Sequence, residues 1–153
     1  MPSPPTPQDS SPGLFAQVME LIERQKQNLR QYLDILRHQN AAIEKSDDEK
    51  LERYQEHETA CRDNIVSTTA ALRGLEGRLT PGSSEIARIR EERQSLESLR
   101  REALAANTLT QERLRVKMQA VASELTALQE RLRALGGGKS PDHDDPTYID
   151  VYS

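Results

Sequence analysis

Apolar residues recur every three or four positions through most of this 153-residue chain, with polar residues between them. Between residues 13 and 45 the repeat is seven residues long, which keeps one face of a helix towards a partner helix. The pattern therefore predicts a first helix from about Gly13 to Lys45. Its predicted apolar face comprises Phe15, Ile22, Leu29, Leu36 and Ile43, with Val18, Tyr32 and Leu33 beside them.

The run "EKSDDEK" interrupts this repeat. Ser46 and Glu49 have the spacing of a capping box, in which each side chain satisfies a backbone N–H of the first helical turn. Leu51 follows Ile43 by eight residues, so the register changes here. A tight turn is expected, followed by a second helix from about Asp47 to Leu79. Its more polar face comprises Leu51, Tyr54, Glu58, Cys61, Ile65, Thr68, Leu72, Leu75 and Leu79.

A third helix is predicted after the segment "LTPGSSE". Pro81 and Gly82 break the second helix, and Ser83 or Ser84 is expected to cap the next, which runs to about Leu135. Its first part presents Ile86, Ile89, Leu96, Leu99 and Ala103. Successive spacings of four at Asn107 and Gln111 predict a local relaxation of supercoiling. A strict spacing of four and three follows, formed by Leu114, Met118, Val121, Leu125, Leu128, Leu132 and Leu135.

These seven residues, here called the terminal stripe, have no predicted partner within the three helices. At a rise of 1.5 Å per residue the first two helices are each about 50 Å long and the third about 80 Å. Short connections fold the second helix back along the third only as far as about Leu114. A stripe of this size is expected to be covered by a second copy of the chain, a helix of another protein, or the chain's own tail.

The chain is thus predicted to be all-α: an antiparallel helical hairpin packed on a longer C-terminal helix, coiled-coil-like, with disordered termini. Residues 1–12 hold five of the eight prolines and are predicted to be a disordered arm, either a spacer or a proline-rich ligand. Residues 13–135 form the predicted helical domain, and residues 136–153 a flexible acidic tail. The ending "DDPTYIDVYS" is either a disordered terminus or a docking motif anchored by apolar side chains that include Tyr148, Ile149 and Tyr152.

Composition excludes several classes of function. The net charge is −4, with 21 basic and 25 acidic residues interleaved, so the basic face of a nucleic-acid-binding protein is missing. The sequence lacks the long apolar run of a membrane span and the pattern of a signal peptide. With a single cysteine, Cys61, a cytoplasmic location is expected. No nucleophile motif or phosphate-binding loop is present, so neither an enzyme nor a cofactor is expected.

Two polar groups on the predicted helices allow alternative interpretations. His57 and Cys61 lie four residues apart, and a metal there would need further ligands such as Glu58 and His38. The favoured interpretation is no metal, with a small interface cysteine beside a surface histidine. Glu58 either pairs with an arginine of the first or third helix and sets the register, or turns towards water. Asn107 allows the same two readings.

Three stretches resemble the FlgN family, the cytoplasmic chaperones for flagellar hook–filament junction proteins. "LRQYLDILRHQNAAIEKSDDEKLERYQEHET" resembles the family's first helix, acidic turn and second helix. "ARIREERQSLESLRREALAANTLTQERLRVKMQAVASELTAL" resembles its long last helix, and "TYIDVYS" resembles some family tails. The resemblance covers roughly residues 14 to 153.

The resemblance implies a function in type III (flagellar) protein export. Chaperones of this family bind the C-terminal amphipathic helix of hook-associated proteins, prevent premature assembly and deliver the client to the export gate. Because their last helix binds the client, the terminal stripe becomes the expected client site, and Tyr148, Ile149 and Tyr152 become candidates for docking on the gate. A homodimer is a further expectation when no client is bound. The alternative function is a structural coiled-coil adaptor or homodimeric tether.

Overall fold

The computed structural model describes residues 11–80 and 82–136. It contains three helices, α1 (Ser11–Lys45), α2 (Asp48–Glu76) and α3 (Ser83–Leu135), and the described residues form no strand. The predicted all-α fold is therefore confirmed. The helix α1 begins two residues before the predicted boundary because Pro12 is tolerated in a first turn, where backbone N–H groups need no intrahelical partner. The rest of the predicted arm, and the tail from residue 137, lie outside the described residues.

The chain divides into two compact units, residues 1–114 and residues 115–153. In the first unit α1 and α2 form an antiparallel hairpin, as shown by bonds from Gln25 to Thr69 and from Gln39 to Glu58. Residues 83–114 of α3 pack on this hairpin, and Leu96 and Ala103 join its core.

The helix α1 supplies most of the core of the first unit. Its largest fully buried side chains are Val18, Ile22 and Leu36. The predicted face is confirmed, except that Phe15 is only partly buried. The buried hydrophobic residues of α1 are Val18, Ile22, Leu29, Tyr32, Leu33, Ile35, Leu36, Ala42 and Ile43.

The turn between α1 and α2 is tight, as predicted, but its capping residue is not Ser46. Ser46 has a φ of 53°, so it occupies the left-handed turn position that closes α1. Asp47 takes the N-cap position instead, and its carboxylate accepts a hydrogen bond of 3.2 Å from the backbone N–H of Lys50. The predicted capping box of Ser46 and Glu49 is therefore wrong.

The connection between α2 and α3 also differs in detail from the prediction. The helix α2 ends at Glu76, and the N–H groups of Arg78 and Leu79 bond the carbonyls three residues before them, which tightens the chain beyond the helix end. The first bond of α3 runs 3.0 Å from the Ile86 N–H to the Gly82 carbonyl. Ser83 and Ser84 therefore lie inside the first turn rather than before it.

The apolar face of α3 follows a register different from the predicted one near residue 110. Gln111 is exposed and Thr110 is only 3% exposed, while Ala106 is half-buried. Thr110 satisfies its hydroxyl by donating to the Ala106 carbonyl over 2.9 Å, so burial leaves no polar group unpaired. The successive spacings of four on this face consequently fall at Thr110 and Leu114, one step later than predicted.

Candidate functional site

Residues 115–135 of α3 are the described helical part of the second unit. No glycine or proline interrupts them, and residues with strong helix propensity dominate. The helix ends where Gly136 donates its backbone N–H to the Leu132 carbonyl over 2.9 Å, and two further glycines follow.

The terminal stripe lies on this segment, and most of its side chains are exposed. Leu132 is 59% exposed, Leu128 50% and Met118 64%, and Val121 and Leu135 are exposed as well. Leu125 is half-buried. Leu114, also half-buried, is the last residue of the first unit. Six of the seven predicted site residues therefore share one face of the second unit.

The exposure of a continuous apolar face to water is unfavourable. Fully burying one such side chain stabilises a complex by about 1.5 to 3 kcal/mol, so covering the face with a partner is favourable. Its neighbours along the helix are mostly small or charged, such as Ala122, Glu124 and Arg131. This geometry suits an amphipathic partner helix, whose side chains at every third and fourth position would pack against it.

The interface of the first unit is more polar than this face. Glu58 accepts hydrogen bonds from the Tyr32 hydroxyl over 3.1 Å and from Gln39 Nε2 over 2.9 Å, and it pairs with Arg62 on its own helix. Glu58 thus faces α1, but its partners there are a phenol and an amide, which is neither of the two expected alternatives, an arginine of α1 or α3 or exposure to water.

Burial and Glu58 together change the acid–base properties of the interface. Burial, and then the nearby Glu58 carboxylate, raise the pKa of Tyr32. The same two causes raise the pKa of the Cys61 thiol, whose sulfur donates to the Asn28 carbonyl over 3.3 Å. A buried thiol with a raised pKa is a poor nucleophile, so this interface is structural in character.

A second polar cluster joins α1 and α2 nearer the other end of the hairpin. Gln25 Nε2 donates to the Ile65 carbonyl over 3.0 Å and to Thr69 Oγ1 over 2.8 Å. Asn28 Nδ2 donates to Thr68 Oγ1 over 3.2 Å. Directional bonds of this kind fix one register of two helices, because any slip would leave buried polar atoms unpaired.

An ion pair between a buried lysine and a partly exposed glutamate connects α1 with α3. The Lys26 side chain is 7% exposed, and its ammonium pairs with Glu92, whose side chain is 34% exposed. The hydrogen bond and the charge of Lys26 lower the pKa of Glu92. Neither buried Gln25 nor buried Lys26 follows from the apolar pattern, because polar residues at interface positions carry no hydropathy signal.

The candidate metal ligands do not assemble into a site. The rings of His38 and His57 both lie near Tyr54, with centroid distances of 5.0 Å and 6.2 Å. Within residues 11–80 and 82–136, no group of three or more histidine, cysteine, aspartate or glutamate side chains could hold a metal ion.

A groove of about 850 Å³ opens beside the connection of α2 and α3. Its lining includes the apolar side chains of Leu79, Ile86 and Ile89 as well as several arginines. The Arg93 guanidinium is paired with Glu76, which also lines the groove, so part of this positive charge is already neutralised.

None of the helices in the described part of the chain is long and apolar enough to cross a membrane. Comparisons with known proteins find no family model, curated protein or solved structure that matches this chain. The predicted docking residues Tyr148, Ile149 and Tyr152 lie outside the described residues.

Proposed function

We propose that this protein is a cytoplasmic type III (flagellar) export chaperone of the FlgN kind. It binds the C-terminal amphipathic helix of hook-associated proteins, prevents their premature assembly and delivers them to the export gate. The observation that carries the proposal is the exposed terminal stripe on a single helical segment. The resemblance of the hairpin, the long last helix and the tail supports the choice of client.

The binding step needs only the physical chemistry of two helices. The client helix lays its apolar side chains against the terminal stripe, and both faces leave water together. The seven side chains offer on the order of 10 to 20 kcal/mol of gross burial free energy. Lost translational freedom and side-chain ordering consume much of it, which leaves a reversible complex that requires no ATP. The covered client helix is then unable to assemble.

Delivery is assigned to the tail. Tyr148, Ile149 and Tyr152 supply apolar anchors in an acidic segment that follows three glycines. Large aromatic anchors give binding energy at a small loss of side-chain freedom. The tail therefore docks on the export gate while the terminal stripe holds the client.

Substitutions in the terminal stripe test client binding. Leu125→Asp combined with Leu128→Asp places two charges in the middle of the stripe, so the affinity for a synthetic client C-terminal helix should fall at least about a hundredfold. Titration of the labelled peptide, followed by fluorescence anisotropy, measures this change. The matched control is Ala120→Asp with Ala127→Asp, which adds the same charge to exposed positions off the stripe. Undiminished binding by the first variant would refute the site.

Removal of residues 139–153 tests delivery separately. Client affinity should be retained because the terminal stripe is intact, whereas export of the client should drop. The readout is client secreted by cells that carry the truncated chain in place of the full-length one. Unchanged export at equal chaperone abundance would refute the docking role of the tail.

A homodimeric coiled-coil tether is the second candidate function, because the strict spacing of four and three also suits a second copy of the same helix. The mass in solution, measured with and without the client peptide, separates the two candidates. A chaperone exchanges self-association for client binding, whereas a tight dimer that ignores the peptide would support the tether.

A further inference from the structure

The terminal stripe is complementary to itself in an antiparallel pair. Consider two copies of residues 115–135 that run in opposite directions with Leu125 opposite Leu128 of the other copy. Val121 then meets Leu132, and Met118 meets Leu135, because the spacing of four and three reads the same way from both ends. All six stripe residues of the second unit are matched in this register. Six layers result, since each pair occurs twice.

The charged residues beside the stripe distinguish antiparallel from parallel pairing. Glu124 and Arg131 each precede a stripe residue, and both are exposed. In the antiparallel register Glu124 of one copy lies about two residues, or about 3 Å, along the axis from Arg131 of the other. Long side chains span this offset between helices packed about 8 to 10 Å apart. Two Glu124–Arg131 ion pairs therefore flank the central layers.

A parallel pair offers no such attraction. There the positions facing Glu124 and Arg131 on the other copy are Gln129 and Gly136, neither of which is charged. The apolar residues alone would permit either direction, so the charges determine the choice. From this complementarity we infer that the client-free protein self-associates through an antiparallel pair of α3 segments, residues 118–135, held in register by Glu124 and Arg131.

The pairing regulates the surface to which the proposed function assigns the client. Only this regulatory role rests on the proposed function, because the self-association itself requires no client. A client helix and a second copy compete for the same six side chains. Six layers make a short coiled coil, so the dimer dissociates on dilution rather than being permanent. Self-association thus protects the terminal stripe from water until a client displaces it.

Charge reversal in the full-length chain tests the pairing and its direction. Glu124→Arg and Arg131→Glu each replace two attractions by two repulsions, so each should weaken the dimer about tenfold in sedimentation equilibrium. The double variant recreates both pairs with the charges exchanged and should restore the wild-type dissociation constant. Glu130→Arg and Arg133→Glu are the matched controls, because they make the same charge changes at exposed positions outside the facing edges.

Four outcomes would overturn the inference: wild-type protein that stays monomeric at high concentration, single variants that dimerise like wild type, controls that weaken the dimer equally, or a double variant that does not recover. A parallel dimer makes no Glu124–Arg131 pair, so its single variants would dimerise like wild type and would overturn the inference. The proposed function is judged by the separate peptide titration. Client binding without a charge-sensitive dimer would refute only this inference, and a charge-sensitive dimer without client binding would refute only the proposed function.

Discussion

The first unit and the second unit carry the same apolar spacing and use it differently. On α1, Val18 is 0% exposed and Ile22 1%, whereas Leu132 in the second unit is 59% exposed. Both faces come from residues repeated every three or four positions. Helical periodicity therefore identifies a face whose burial is favourable, but it does not identify the partner that buries it.

The two faces also differ in polarity. The first unit's interface contains Gln25, Asn28 and Glu58, whose hydrogen bonds reach across to the facing helix. Such bonds are directional and permit one register. The terminal stripe has only apolar members, and apolar contact is non-directional. The buried interface of the first unit and the exposed terminal stripe thus differ in their polar content.

Matched truncations in the two faces should give the largest contrast. Leu36→Ala creates a cavity in the core of the first unit and should lower the free energy of unfolding by about 2 to 4 kcal/mol. Leu132→Ala removes the same atoms from an exposed side chain and should change the free energy of unfolding by less than about 0.5 kcal/mol. Urea denaturation of both variants, at a protein concentration below self-association, measures the difference. Equal losses would mean that Leu132 is buried in solution.

The ion pair of Lys26 and Glu92 should give a smaller and asymmetric effect. Glu92→Gln leaves the buried ammonium without a counter-charge and should destabilise the protein by about 1 to 3 kcal/mol. Lys26→Met removes the buried charge and leaves a carboxylate with partial access to water, so its loss should be below about 1 kcal/mol. Urea denaturation ranks the two variants. A larger loss for Lys26→Met would contradict the assignment of Lys26 as the buried partner.

The same pair predicts a dependence on pH. Because the folded-state pKa of Glu92 is lowered, its contribution is fully present above about pH 4.5, the ordinary value, and is lost as the pH falls through the lowered pKa. The difference in stability between wild type and Glu92→Gln should therefore be constant from pH 7 to about pH 5 and shrink below that. A difference that grows on acidification would have the wrong sign for this pair.

A modest effect is expected at the Glu58 cluster. Tyr32→Phe removes one hydroxyl donor, while Gln39 and Arg62 continue to satisfy the carboxylate. The free energy of unfolding should fall by about 0.5 to 1.5 kcal/mol. Thermal unfolding measures the change, with Tyr54→Phe as the matched control because its hydroxyl makes no bond to Glu58. A larger loss of stability in Tyr54→Phe than in Tyr32→Phe would contradict the stabilising role of the Tyr32 hydroxyl bond to Glu58.

The sequence predicts the helices and their buried faces well because both depend on local spacing. The bounds of α1 and α3 fall within two residues of expectation, and Cys61, Thr68 and Leu72 are buried as predicted. The errors lie where several polar residues compete for one position. Asp47 rather than Ser46 is the N-cap residue, because Ser46 occupies the left-handed position of the turn. Thr110 rather than Gln111 is buried, because the Thr110 hydroxyl is satisfied by a hydrogen bond within the helix.

The exposure of the terminal stripe was predictable from chain length as well as spacing. The helices α1, α2 and α3 have 35, 29 and 53 residues, so the last part of α3 is predicted from length to have no partner within the three helices, and most stripe side chains there are exposed. The burial of Lys26 was not predictable, because a lysine at an interface position looks like any surface lysine until its partner Glu92 is known. The occupant of the stripe was not predictable from spacing, because apolar contact is non-directional and suits any amphipathic helix.

Hydrogen–deuterium exchange of the full-length chain with a synthetic client C-terminal helix tests the central claim most directly. The protein concentration is kept below self-association, so any added protection comes from the peptide. We predict that the amides of residues 115–135 become protected when the peptide is added, while those of residues 14–45 keep their exchange rates. Peptide binding that leaves residues 115–135 unprotected, or protection confined to the first unit, would contradict the account.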